Sequence, residues 1–418
     1  MTTTGNSKYR SGAIRRRASH TDRNALHIVI TAAGISSLGD GVRRIAMPLT
    51  AASLTSDPLS IGLVTVCAQL PWLMAPILGP TLDRFRPLRL MYVVDSIRAV
   101  IIGLFAAALA TSVSGVALLA GAALLMGLAE VLAESAAQIA MPMLVAEGDL
   151  EFSNSRLMGA QTVTTQFVGP PLGAWLGTIG IGLPYGLDAV TFIASALLIF
   201  GLRHRNLTET SPTEDVKLSS QMLAGFRWAR WHPVIRVLIM VVIGLGFFDG
   251  MVGAILVVFA YRQLHISAFD YGLLLAIAAV GSLVGTFGSR RLAQRARRKP
   301  MLLVSTLGAG VSYLVLAGTS SPSVAAVMLA VNSGLTMAWN VLTVSARQRL
   351  IPVEILGRVT TVYRMAAWGA LAVGGIFGGA LAKWVGPRDV VTISGVGLAL
   401  MTFAVMRIPS KGLEPTEG

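Results

Sequence analysis

The sequence predicts an all-α integral membrane protein whose twelve transmembrane helices form two six-helix bundles. Three observations lead there. Only 13% of the 418 residues are charged and 54% are apolar, against the roughly 25% charge of a soluble domain, and the mean hydropathy is +0.69. Apolar runs of about twenty residues, each long enough to cross a bilayer, succeed one another twelve times. The longest polar stretch, residues 203–232, falls between the sixth run and the seventh. This composition argues against a soluble enzyme.

The spans fall at about residues 25–54, 58–82, 89–110, 113–142, 156–180, 184–203, 233–262, 268–292, 299–319, 321–349, 356–384 and 387–408. The resulting organisation is an N-terminal tail (1–24), a first bundle (25–203), a linker (204–232), a second bundle (233–408) and a C-terminal tail (409–418). Within the linker, Met222, Leu223, Phe226 and Trp228 set against Arg227 and Arg230 predict a short amphipathic helix lying on the membrane surface. The halves match in order. Gly39-Asp40-Gly41 pairs with Phe248-Asp249-Gly250, Ile61-Gly62-Leu63 with Tyr271-Gly272-Leu273, and the glycine pattern of residues 168–173 with that of 373–378. Three weak matches at nearly one offset argue for duplication. An even number of spans per repeat relates the halves by an axis along the membrane normal, with a substrate site between them near the midplane.

The net charge of +14 would point to nucleic acid in a soluble protein, so its placement has to be examined. Most of the 34 Lys and Arg residues fall before the first span, in alternate connections and after the last span, Arg347 and Arg349 among them. The intervening connections hold Arg262, Lys383 and Arg388, and Arg43, Arg44, Arg98 and Arg364 lie within spans. This positive-inside asymmetry predicts both termini in the cytoplasm of a bacterial cell, in the plasma membrane, with the bilayer and not nucleic acid as partner. Cys67 is the single cysteine, and the five His occupy termini or connections without ligand spacing, so neither a disulfide framework nor a metal site is expected. No Walker loop is present and no nucleophile and base fall at one depth, which removes an ATP motor and a catalytic centre from the expectation. The run Arg15-Arg16-Arg17 precedes a long span without a convincing small-residue cleavage site, and the span is taken as an uncleaved first helix. No cofactor is expected.

The connection after the second span, Gly79-Pro-Thr-Leu-Asp83-Arg84-Phe-Arg86-Pro-Leu-Arg89, resembles the Gly-x-x-x-Asp-Arg-x-Gly-Arg-Arg-Arg signature of the major facilitator superfamily; Gly79, Asp83, Arg84 and Arg89 fit it, while Arg86, Pro87 and Leu88 depart from it. Gly169-Pro170-x-x-Gly173 in the fifth span is similar to the antiporter motif of that superfamily's exporters, although it also suits any bent, closely packed membrane helix. Asp95-x-x-Arg98, Asp188-Ala-x-x-Phe192 and Glu354-x-x-Gly357-Arg358-Val359 fit the branch holding enterobactin, macrolide and Tap-like exporters. The arginine that many family antiporters carry early in span four has no counterpart between Val113 and Met126. The resemblance implies the major facilitator fold and a monomer that exports small amphipathic or hydrophobic molecules, drugs among them, in exchange for protons. It also implies that Asp83 latches to the start of span eleven, near Arg358 and Arg364, when the transporter opens outward. Export of an endogenous metabolite or siderophore, and a non-transporting sensor that keeps the fold, are the alternatives.

Ionisable groups at membrane depth are costly and mark function. Asp40 lies about fifteen residues into its span, near mid-bilayer at 1.5 Å per residue, and Asp249 is its repeat mate. If spans one and seven face a central cavity, the two carboxyls stand on opposite walls, able to load and release a proton. Asp40 is the expected proton carrier; Arg43 and Arg44, three and four residues on, could instead hold it as a static pair. Glu130, with Glu134 one turn beyond it, is expected either to meet a cationic substrate or to serve as counterion to Arg43, Arg44 or Arg98. Asp95 and Arg98 are expected to pair locally, with their ends reaching water. Trp72, Trp175 and Trp339 are expected to face lipid or to pack, with the lining of a hydrophobic cavity as the alternative.

Overall fold

The computed structural model describes residues 22–74, 85–111, 115–145, 149–203, 218–292 and 298–408. Its first half contains α1 (Arg23–Leu54), α2 (Pro58–Gln69) running on into a 3-10 turn (Leu70–Met74), α3 (Pro87–Ala110), α4 (Val116–Leu144), α5 (Leu150–Thr162), a π-helical segment (Val163–Val168), α6 (Gly169–Ile179) and α7 (Leu183–Phe200). The linker helix α8 (Leu218–Trp231) leads into α9 (Pro233–Arg262), α10 (Ala268–Leu292), α11 (Arg298–Gly318), α12 (Pro322–Leu350), α13 (Val353–Val385) and α14 (Pro387–Met406). Ten of these are long and apolar enough to cross a membrane. The second span is α2 with its 3-10 turn, and the fifth is α5, the π segment and α6 in succession, which completes twelve. The chain is therefore a multi-pass membrane protein.

Helix starts follow local chemistry. Asp22 and Asp57 accept hydrogen bonds from Ala25 N and Ser60 N, each at 3.1 Å, and so cap α1 and α2. Proline occupies the first turn of α2, α3, α9, α12 and α14, where its missing donor costs nothing. Gly386, at φ 84°, makes the left-handed turn that reverses the chain between α13 and α14.

The fifth span departs from a single helix over 156–180. Pro170 and Pro171 lack the N–H groups that would bond the carbonyls of Gln166 and Phe167, and the turn just before them widens to π geometry. Thr165 in that segment donates to the carbonyl of Ser37 at 3.1 Å, tying the widened turn to α1.

The two halves repeat one packing scheme. Span one packs against five and six and span two against four, as span seven packs against eleven and twelve and span eight against ten. Glycine sets the closest approaches at matched positions. A Cβ on Gly169 would stand 2.6 Å from Gly41 Cα and one on Gly173 2.5 Å from the Val42 carbonyl; in the second half a Cβ on Gly374 would collide with the Phe247 carbonyl and one on Gly378 would lie 2.5 Å from Met251 Cα. In a bilayer, where lipid is as apolar as leucine, such close backbone contact is what drives helices together. The residues of the antiporter motif thus have a defined packing role. Large apolar side chains such as Leu104, Leu197, Val284 and Phe403 face outward, as lipid contact requires.

The halves also touch each other, by spans two against eleven and five against eight. The contacts cluster at one end, where Gly62 meets Ala254 and Gly375, Gly379 meets Leu59, and Gly272 meets Pro170 and Ala174. That end is sealed.

Gly374→Leu should lower thermal stability in detergent by about 1–3 kcal/mol, the cost of overpacking a helix contact, whereas Gly177→Leu, whose Cβ has no neighbour within 4 Å, should change it little. Melting curves of the purified variants, followed by size-exclusion monodispersity, check this.

Candidate functional site

Two chambers open from the midplane toward the end opposite the seal. The first, of about 680 Å³, is lined by Asp40, Arg44, Glu130, Glu134 and Arg98 with Gln138, Gln161 and Gln166. The second, of about 770 Å³, is lined by Asp249, Tyr313, Asn332, Asn340, Arg347 and Arg364. Both reach Trp368 on span eleven, whose ring stacks on Trp72 of span two with centroids 5.4 Å apart and planes 18° apart. Trp72 therefore bridges the halves at the centre, Trp339 is buried beside the second chamber and Trp175 is exposed.

Gly39-Asp40-Gly41 is what lets α1 enter the middle of its half. A side chain on Gly39 would collide with Asp188 and Thr191 of α7, and one on Gly41 would press on the backbone of Thr164 and Thr165. With both neighbours absent, Asp40 sits between spans three, five and six, 7% exposed. Its Oδ1 accepts from Arg43 Nη2 at 2.5 Å and from Arg98 Nη2. Arg43, 3% exposed, also reaches Glu130 Oε2 at 3.1 Å and places Nε 3.2 Å from Asp188 Oδ2. Arg44 reaches the other Glu130 oxygen at 3.2 Å. Glu130 is thus a counterion to two arginines, and Glu134 accepts from Gln138 at 3.2 Å.

The expected local pair of Asp95 with Arg98 is present, but the packing corrects the expectation that its ends reach water. Both residues are buried, at 2% and 1% exposure, so neither end reaches water. Arg98 also crosses to Asp40 with its guanidinium 3.9 Å from the Phe192 ring centroid. Its contact to Asp95 is long, at 3.4 Å, and Asp95 takes its short hydrogen bond, 2.6 Å, from Ser195 Oγ. Spans one, three, four and six are thereby joined in a single network of Asp40, Asp95, Glu130 and Asp188 with the buried Arg43 and Arg98 and, at its exposed edge, Arg44. Four carboxyls face three guanidiniums.

Asp188 was singled out in the sequence only as part of a motif, yet it is the most enclosed acid of the network. It is 0% exposed, and neither carboxylate oxygen accepts a hydrogen bond. A lone acid in the apolar run 184–203 was the available signal.

Asp249 occupies the opposite wall and accepts from Tyr313 Oη at 2.8 Å. Gly79, Asp83 and Arg84 lie outside the described residues. Arg89, also of that motif, is exposed at the start of α3. Arg358 lies under the linker helix, its backbone against Gly225. Arg364, assigned with it to a latch at the start of span eleven, lines the second chamber, and so does Arg347, which had been counted with the surface-connection arginines. Among the described residues no group of His, Cys, Asp and Glu could hold a metal ion.

At the sealed end, Lys383 Nζ of span eleven lies 3.0 Å from Asp57 Oδ1, and Arg262 Nη2 of span seven donates to the Ser56 carbonyl at 2.9 Å. Two of the three arginines and lysines placed in these connections therefore clamp the turn between spans one and two. Partial burial opposes ionisation of Asp57, but hydrogen bonds from Ser60 and Lys383 outweigh it and hold the carboxyl below its ordinary value.

Two bundles of six helices around chambers that open at one end define a transporter of the major facilitator fold. The backbone superposes with a TM-score of 0.75 on a bacterial homologue of the iron transporter ferroportin in an inward-facing state, at 15% identity over 93% of this chain and 99% of that one. It does so equally, 0.75 at 12% identity over 92% and 98%, on the nucleoside transporter NupG. Residues 20–417 match the transmembrane secretion effector family, and the chain belongs to that family. It is 26% identical to the enterobactin exporter EntS of Citrobacter koseri over 255 residues, 59% of this chain and 60% of that protein. With EntS of Shigella flexneri it shares 26% over 68% of this chain and 65% of the relative. The aligned part thus spans somewhat under two thirds of the length of these relatives.

Two outcomes follow. Arg98→Gln should destabilise the purified protein by about 3–5 kcal/mol, because it leaves Asp40 and Asp95 buried with one counterion fewer; adding Asp40→Asn should recover part of the loss, measurable as a thermal double-mutant cycle. Because the Asp57 carboxyl is held below its ordinary value of about 4, the clamp is present above that value and is lost as pH falls through the lowered one. Labelling of a cysteine placed beneath the turn, at Gly62→Cys, should accelerate in Lys383→Ala at neutral pH and in the parent only in that acid range.

Proposed function

We propose that the chain is a proton-coupled secondary exporter of small amphipathic or hydrophobic compounds, antibiotics and other drugs included, working by alternating access. The bacterial plasma membrane is its site, with both termini in the cytoplasm and the open end of the chambers on that side, because the basic residues outside the spans concentrate there. One observation carries the coupling: the network of Asp40, Asp95, Glu130, Asp188, Arg43, Arg44 and Arg98 on one wall of the chamber, buried except at Arg44. With one carboxyl more than guanidiniums, full ionisation would leave an excess negative charge at mid-membrane, which one bound proton removes.

Asp40 is the hub, since two arginines from different spans converge on it. Protonation within the network loosens the hold of Arg43 or Arg98 and permits spans one, three and six to shift against one another. Asp249, on the other wall, accepts one hydrogen bond from Tyr313 and is the second proton site. In the outward-open state Asp83 of the signature loop takes over as the inner latch against the start of span eleven, where Arg358 lies. Monomeric function is expected. A second reading, export of a siderophore, is favoured by the relatives named as enterobactin exporters.

The test is efflux of fluorescent amphipathic dyes from cells producing the parent chain, Asp40→Asn, Asp188→Asn or Asp249→Asn at equal membrane levels, with and without a protonophore. Protonophore-sensitive efflux that falls at least about tenfold in Asp40→Asn or Asp188→Asn supports the mechanism. Efflux that is indifferent to both the protonophore and all three substitutions sinks the coupling. Secretion of an iron-chelating compound, restored in a strain lacking its own exporter while every dye is retained, would favour the siderophore reading.

A further inference from the structure

The arginines of the first chamber all have carboxylate partners, but among the described residues those of the second do not. Arg347 is 5% exposed, and among the described residues it makes neither an ion pair nor a side-chain hydrogen bond, its Nη1 being wholly buried without a partner. Its guanidinium carbon lies over the Tyr363 ring, 3.5 Å from the centroid. The ring attracts the fork but cannot neutralise it. Arg364 lines the same chamber. The carboxyls facing these two are few: Asp249 at the deep end is occupied by Tyr313, and Glu134 lines the opposite chamber.

We propose that Arg347 and Arg364 form a subsite for an anionic group, of carboxylate geometry, carried by the exported compound. The proposal rests on the second chamber being part of the substrate path. A fork held over an aromatic ring with free N–H groups suits a planar oxyanion, which it can grip bidentately. Asn340, Gln348 and Thr360 line the chamber beside the pair and supply neutral polar partners, while Trp339 and Trp368 offer flat apolar surface to the rest of the molecule. A chamber of about 770 Å³ has the volume of a small-molecule site. Arg349, two residues along the same helix, is the contrast. It is exposed and donates Nε to the Ser345 carbonyl at 3.1 Å, as an ordinary surface arginine does. The ligand class is therefore an amphipathic compound with an aromatic or apolar body and at least one negative charge.

The experiment uses the full chain in nanodiscs of zwitterionic lipid, with three matched probes: pyrenebutyrate, pyrenebutanol and pyrenebutyl-trimethylammonium. Binding is followed as quenching of tryptophan emission, corrected with empty nanodiscs. The parent should bind the carboxylate about tenfold more tightly than either analogue, the effect of one charge-assisted contact. Arg347→Gln should bring the carboxylate to within about twofold of the alcohol. Arg349→Gln, which removes the same charge, should keep the preference. If Arg347→Gln does not yield folded protein, Arg364→Gln must reduce the preference in its place. Equal binding of the three probes by the parent overturns the subsite, as does a preference that survives Arg347→Gln or vanishes equally in Arg349→Gln. The readout needs no transport: a parent that shows no preference beside intact protonophore-sensitive efflux defeats the subsite alone, and a parent with the preference but without efflux upholds it while defeating the exporter reading.

Discussion

The contact on which this structure depends is the convergence of Arg43 and Arg98 on Asp40. An isolated charge at mid-membrane is among the most expensive groups a protein can carry, and these three residues come from two separate spans that must meet for any of them to be tolerated. The requirement spreads outward. Arg43 draws in Asp188 and Glu130, Arg98 draws in Asp95, and spans one, three, four and six are fixed relative to one another by charge as well as by shape. A bundle held in this way has limited freedom to rearrange until one charge is neutralised, and this is the property an ion-driven switch needs.

The second half repeats the scaffold without the chemistry. Its glycine contacts at residues 374 and 378 mirror those at 169 and 173, and the acid of its central helix, Asp249, is met by the third helix of its own half just as Asp40 is. The partner is a tyrosine hydroxyl and not a guanidinium. The two equivalent walls thus differ: one stores paired charge, and the other presents aromatic and amide surface with two arginines that, among the described residues, have no acid of their own. The joint between them is the Trp72–Trp368 stack at the centre and the clamp on the turn at residues 56–57 at the sealed end. Opening that end requires the clamp to break and the close glycine contacts of spans two, seven and eleven to part.

The twelve spans, the doubled bundle and the membrane acids were legible in the sequence because each leaves a one-dimensional trace: length and hydropathy for the spans, a recurrent glycine spacing for the repeat, a charge in an apolar run for the acids. The bounds expected for span seven, 233–262, coincide with those of α9. The fifth span was the failure of that logic. Hydropathy sees one continuous stretch, whereas two adjacent prolines withdraw donors and force a π turn that no periodicity announces.

Partnership between helices was the part that only tertiary structure decided. Spacing gave the pairs of Asp40 with Arg43 and of Asp95 with Arg98 and left Arg347 at the surface, since a sequence records which residues are three or four apart and not which helices lie side by side. In three dimensions Arg98 reaches Asp40 across 58 positions, and Arg347 turns inward onto Tyr363. The physical reason is general. Membrane insertion is decided segment by segment, by the apolarity of about twenty consecutive residues, and is written locally; the neutralisation of buried charge is a property of neighbouring helices and exists only once they have packed.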